Sequence, residues 1–130
     1  KLLNMIIMSY HEVACGIMFN KKGKILMGLR SITGPQAGYW EFPGGQLENN
    51  ETIEECLHRE WMEELNLHIT IEKEIYSAIY DKYLCRFFIG KIKDEENMKQ
   101  NVHDDILMLN KENILKLNLF DGDEKVLDHI

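Results

Sequence analysis

Apolar and polar positions along this chain follow two periods. Across residues 12–20, Val13, Cys15, Ile17 and Phe19 alternate with smaller residues, the period of a β-strand. Asn20-Lys21-Lys22-Gly23 makes a turn, and residues 24–29, with Ile25, Leu26 and Met27, return as the second arm of a hairpin. Arg30 ends the hairpin and opens a loop over residues 31–38 that contains Gly34-Pro35. The period then lengthens. Thr52 with Glu55 three residues on is a capping-box pattern, so a helix should begin near Ile53. It should run to Asn66, a residue that tolerates left-handed geometry. Ile53, Cys56, Leu57, Trp61 and Leu65 form its apolar stripe.

Strand period returns after the helix. Residues 67–74 alternate through Ile69 and Ile71, and residues 74–81 and 83–93 read as a strand pair about Asp81-Lys82. Residues 94–101 are polar and charged, a mobile loop by composition. Residues 106–109 make a last short strand, residues 111–115 a turn of helix, and residues 123–130 a C-terminal helix with Val126, Leu127 and Ile130 at helical spacing. Strands, helix, strands, helix in one chain of this length suit a single α/β domain over residues 1–130, a sandwich with a mixed sheet between helices. Residues 1–9 are an upstream extension or an edge strand; Met8-Ser9 has the look of a native start, and the stretch is too short for a signal peptide.

Charge narrows the partners. A net charge of −7 argues against a nucleic-acid duplex or an anionic membrane as the main partner, and no apolar run is long enough to span a bilayer. Cys15, Cys56 and Cys85 are an odd set without C-x-x-C spacing and read as buried, reduced thiols, which suits a cytoplasmic location.

The helix also carries the chemistry. Glu60, Glu63 and Glu64 stand at i, i+3 and i+4 and share one face. Three carboxylates beside an apolar stripe repel one another unless a cation sits among them, and Mg²⁺, with Mn²⁺ as a substitute, prefers such oxygen ligands. A solvated acidic face is the alternative. Arg59 is placed to pair with a carboxylate, Glu51 being one candidate, and to hold the preceding loop against the helix. Gly44-Gly45 permits a sharp turn and a close backbone approach to the cation.

Gly45, Glu51, Arg59-Glu60, Glu63-Glu64 and the preceding Trp40-Glu41-Phe42-Pro43-Gly44 resemble the Nudix box G-x5-E-x7-R-E-U-x-E-E-x-G-U, and the MutT-like branch in particular. Trp61 stands where an aliphatic residue is usual and Asn66 where glycine is usual. The resemblance implies a Nudix-type α/β/α sandwich that hydrolyses a nucleoside triphosphate to the monophosphate and pyrophosphate, as a monomer or homodimer. It implies Glu60, Glu63 and Glu64 as metal ligands with the Gly44 carbonyl as a fourth, and Gly45 and Glu51 in supporting roles. Arg59 joins the three glutamates in the catalytic set.

For the nucleoside end, the resemblance offers Arg30 near the substrate, Phe42 lining a base pocket and Asp123 contacting the base. Lys82 either reaches phosphate or is a solvated turn lysine. Asp123 with the Gln36-Ala37-Gly38 run leans toward cytosine-type nucleotides; an N-cap of the last helix is its plainer role. Tyr39, Tyr80 and Tyr83 read as core or rim. Related enzymes often place a glutamate before the last strand, where this chain has Val102, then His103-Asp104-Asp105. Asp104 is the candidate base, with Asp105 beside it, a solvated acidic loop being the alternative for both, and His103 reads as an exposed histidine outside the chemistry. The alternatives are hydrolysis of another nucleoside diphosphate linked to a group X, or a catalytically silent nucleotide-binding domain.

Overall fold

Alternation in the first hairpin becomes β1 (His11–Phe19) and β2 (Ile25–Leu29), closed by a turn in which the Asn20 carboxamide oxygen accepts from the Lys22 and Lys24 amides. The computed structural model describes residues 10–120 and 122–130, so the expectation for residues 1–9 lies outside the described residues. The remaining strands are β3 (Trp40–Glu41), β4 (Gly44–Gln46), β5 (Ile69–Tyr80), β6 (Tyr83–Ile92) and β7 (Asp105–Leu109). They form one mixed sheet of order β3-β2-β1-β6-β5, with β4 paired to β1 and β7 to β2. The β1–β6 pair is parallel and the other pairs are antiparallel.

Both faces of this sheet are covered. Ala14 and Met18 of β1, Leu26 of β2, and Phe88 and Ile92 of β6 pack under helix α1 (Ile53–Leu65). The intervening positions Ile17, Ile25, Met27, Cys85 and Phe87 face the other way, against Ile114 of α2 (Lys111–Ile114) and Val126 of α3 (Asp123–Val126). The chain therefore has the predicted α/β/α layering. Its central strand is apolar on both sides, as a buried strand must be.

Helix α1 starts with the predicted capping box: the Thr52 hydroxyl accepts from the Glu55 amide and the Glu55 carboxylate accepts from the Thr52 amide. It ends at Asn66, whose φ of 56° and ψ of 39° give the left-handed cap that glycine would otherwise supply. Trp61, fully buried, donates from its indole Nε1 to the Pro43 carbonyl at 2.9 Å. Its ring lies on Gly16, where an added Cβ would stand 2.6 Å from Nε1. A large residue on the helix and a missing side chain on β1 thus fit each other. Gly16→Ala should destabilise the protein by about 1–3 kcal/mol through overpacking. In Trp61→Leu, which opens that space, the same change should cost far less. Urea unfolding of both single variants and the double variant checks this; strictly additive costs would refute the pairing.

Four expectations are corrected. Residues 67–74 and 74–81 form one strand, β5, because bulges between Ile71 and Lys73 and between Glu74 and Tyr76 reset the alternation midway. Residues 94–101 are held in place: Lys99 donates to the Leu65 carbonyl, and the Asn101 amide and side chain to the Glu64 and Glu63 carbonyls. That segment satisfies carbonyls which the end of α1 leaves without helical partners. The C-terminal helix is a single α-turn, α3, followed by a 3₁₀ turn (Leu127–His129), and its N-cap is Gly122, so Asp123 is no cap. Cys56 and Cys85 are buried but Cys15 is only half-buried, and all three are free.

Candidate active site

The strand alternation that builds the core also sorts the chemistry. In the Trp40-Glu41-Phe42 run, Trp40 and Phe42 join the core on the α3 side, which turns Glu41 toward α1. Glu64 approaches from α1 and His103 from the segment leading into β7. One oxygen or nitrogen from each lies within 4.8 Å of the others. The His103 Nε2 is 2.8 Å from Glu41 Oε2 and 3.9 Å from Glu64 Oε1. These groups line a cleft of about 330 Å³ together with Arg30, Pro35, Gly44, Gly45 and Val102.

Glu60 lies next to Glu64 on the helix and its carboxylate rests on Gly45, where any side chain would collide with it. Gly44 packs equally closely on the Ala14 carbonyl of β1. Neither glycine has positive φ, so close packing, and not the expected sharp turn, is what they provide.

Burial comes first among the causes that push the Glu64 carboxyl up to about 9, followed by contact with Glu60 and repulsion from Glu41. Among the described residues its buried Oε1 has no hydrogen-bond partner. A desolvated oxygen without a donor, flanked by two further carboxylates, suits a hard divalent cation. Glu41 and Glu64 bring an oxygen each to such an ion, and Glu60 adjoins Glu64; Glu63 is exposed and turns to Arg59 at 3.3 Å.

Arg59 ties this arrangement together. Its Nε and Nη2 fork onto the two Glu51 oxygens at 3.0 and 2.7 Å, Nη1 reaches Glu60 at 2.7 Å, and Nη2 also donates to the Gln46 carbonyl. The fork draws the Glu51 carboxyl down to about 2. Glu51 also accepts from the Glu48 amide, so the loop before α1 is pinned at both ends.

The remaining candidates scatter. Arg30 sits on the cleft, bound to Glu41 Oε1 at 2.6 Å and over the Phe120 ring at 5.1 Å. Phe42 is buried, edge-on to Phe87. Asp123 is also buried, on the α3 side of the sheet; burial, then Glu41, pushes its carboxyl well above the usual range, against the pull of the Phe42 amide. Lys82 is exposed over the Tyr83 ring and does not line the cleft. Asp104 and Asp105 are exposed and each accepts a backbone amide, from Ile32 and Ile106, away from Glu64. His103, read as an exposed bystander, is buried in the cleft wall. Glu41 was missed, though the alternation of Trp40 and Phe42 marks it as facing the opposite way.

A mixed sheet between helices, with carboxylates gathered over one end of a cleft, defines an α/β sandwich domain with an acidic site. A family model described as "NUDIX domain" matches residues 9–129, and the chain belongs to that family. It is 40% identical over 59 residues to an 8-oxo-dGTP diphosphatase of Proteus vulgaris, covering 45% of this chain and 53% of that protein. It is 39% identical over 66 residues to a CTP pyrophosphohydrolase of Escherichia coli (strain K12), covering 51% and 48%. The chain thus spans about half the length of these curated relatives. Among solved structures, the E. coli ORF135 protein superposes with TM-score 0.76 at 27% identity over 93% of this chain and 88% of that one. A MutT protein from Methanosarcina mazei Go1 superposes with TM-score 0.82 at 22% identity, over 92% and 91%. No helix among the described residues is long and apolar enough to cross a membrane.

Proposed function

We propose that this chain hydrolyses a nucleoside triphosphate, NTP or dNTP, to the monophosphate and pyrophosphate with a divalent cation, Mg²⁺ or Mn²⁺. The observation that carries the reading is the buried Glu64 oxygen, without a partner among the described residues, flanked by Glu60 and Glu41 at the wall of a cleft. The relatives whose names specify 8-oxo-dGTP and CTP as substrates support the substrate class.

Within this reading Glu60 and Glu64 are the principal metal ligands, with Glu41 beside them, the Gly44 carbonyl near and Glu63 at the rim. A bound divalent ion neutralises phosphate oxygens and lowers the pKa of a coordinated water. Arg30 presents its guanidinium to the phosphate chain from the cleft rim, where Glu41 fixes its orientation. Arg59 fixes Glu60 against Gly45, so the ligand oxygens are set before substrate arrives.

The Glu41–Phe42 step divides the labour across the sheet: Glu41 faces the phosphate chemistry, while Phe42 packs on the other face and its amide donates to Asp123. Asp123, whose carboxyl is pushed upward by burial, can accept a hydrogen bond from the edge of a base, and donate one in its protonated form. With the Gln36-Ala37-Gly38 run, this favours a cytosine-type or oxidised base.

Pyrophosphate release should be measured across a panel of NTPs and dNTPs, including oxidised guanine nucleotides, with Mg²⁺, with Mn²⁺ and with EDTA. We expect metal-dependent release concentrated on one base, and altered base preference in Asp123→Asn. Tight nucleotide binding without release at millimolar metal would overturn the hydrolase reading in favour of a silent binding domain.

A further inference from the structure

The ligand set described above is made of oxygens, the usual preference of Mg²⁺. The cleft wall also holds an imidazole. The His103 side chain is only 4% exposed and directs Nε2 at the carboxylates of Glu41 and Glu64, while its Nδ1 is buried without a partner among the described residues. The backbone makes room for this ring: a Cβ on Gly28 of β2 would lie 2.5 Å from His103 Cδ2. The ring is held at its other end by the chain itself, since the Asp104 amide donates to the Leu29 carbonyl at 3.0 Å and β7 continues along β2. A histidine ordinarily kept at a surface for its polarity would not occupy a glycine-lined slot beside two carboxylates.

We propose that His103 Nε2, with Glu41 and Glu64, forms a mixed nitrogen–oxygen cation site that favours first-row transition ions, Mn²⁺ among them, over Mg²⁺. Carboxylates and water suit Mg²⁺ and Mn²⁺ alike, whereas an imidazole nitrogen adds affinity for first-row transition ions that Mg²⁺ gains little from, Mn²⁺ least among them, so one nitrogen tilts the preference away from Mg²⁺. Coordination uses the Nε2 lone pair, so the metal-bound ring is the neutral tautomer that carries its one proton on Nδ1. The inference rests on the metal-dependent reading of the same cleft, but the two can fail separately.

Purified protein stripped with EDTA should be titrated with Mn²⁺ and Mg²⁺ by calorimetry, and the Mn²⁺ form examined by pulsed electron paramagnetic resonance. The expected result is an imidazole nitrogen coupled to Mn²⁺ in the wild type and no such coupling in His103→Asn. Mn²⁺ affinity should fall roughly tenfold or more in that variant, with Mg²⁺ affinity changing much less. Gly28→Ala, which keeps the imidazole but crowds it out of its slot, should lose the coupling too; circular dichroism separates this from unfolding. Bound Mn²⁺ with an oxygen-only spectrum would overturn the role of His103 and leave the hydrolase reading standing. Failure of either ion to bind at millimolar concentration would overturn both.

Discussion

Glu64→Gln is expected to lower pyrophosphate release by roughly 10³-fold, about 4 kcal/mol of transition-state stabilisation, while the protein stays folded. The substitution changes a charge and almost no volume. In the proposed mechanism the lost charge is a principal ligand for the cation that shields phosphate, so the deficit falls on kcat. The same change has an opposite signature in stability. In the metal-free protein the Glu64 carboxyl holds its proton up to about 9, for reasons led by burial, whereas an unfolded glutamate releases it near 4.3, roughly. A group whose folded pKa is raised contributes its stability below the unfolded value and loses it as pH rises toward the folded one. Metal-free wild type should therefore lose melting temperature between about pH 5 and 9, and Glu64→Gln should lose less. Saturating Mg²⁺ or Mn²⁺ should flatten the wild-type curve, because the cation takes over from the proton. Near-normal turnover in Glu64→Gln with metal present would refute the assignment.

How much of this was legible in the sequence depends on the kind of signal. The capping box at Thr52 and Glu55 and the apolar stripe of α1 are local, and the helix follows from them. The glutamate spacing is local too, and a helix turns it directly into a shared face. It does not show which members of that face are buried: Glu63 stays in solvent while Glu64 is covered by the segment that carries His103. That covering is tertiary. The residues around His103 are polar, and only the pairing of β7 with β2 draws the ring beneath Glu64. Glu41 was closer to being readable, since two aromatic neighbours on a strand force it to the opposite face. The bulges in β5 were hidden for the reverse reason: an inserted residue breaks the alternation by which strands are recognised. Asp123 at the start of α3 has the sequence appearance of a cap, and its burial in the fold is what sets its chemistry.

Arg59→Lys is expected to cost activity more than stability, and Arg59→Ala to cost both. The guanidinium makes a planar fork on Glu51, a separate bond to Glu60 and another to the Gln46 carbonyl, three directions that one ammonium cannot reproduce. Lysine keeps a positive charge among Glu48, Glu51, Glu60 and Glu63, so repulsion in the folded state stays partly neutralised. Alanine leaves those carboxylates facing one another across the loop–helix junction, and the midpoint of urea unfolding should fall well below that of the lysine variant. In both variants Glu60 loses the bond that orients it on Gly45. Turnover should drop roughly 10- to 100-fold, the scale seen when a group orienting a metal ligand is removed.

Acid titration separates the two effects. Glu51, drawn down to about 2 by the Arg59 fork, contributes stability above an unfolded value near 4.3, roughly, and loses it as pH falls through about 2. Removing the fork should raise the acid-unfolding midpoint in Arg59→Ala, and less so in Arg59→Lys. An alanine variant that unfolds in acid like the wild type and turns over at the wild-type rate would show that the Glu51–Arg59–Glu60 chain positions nothing.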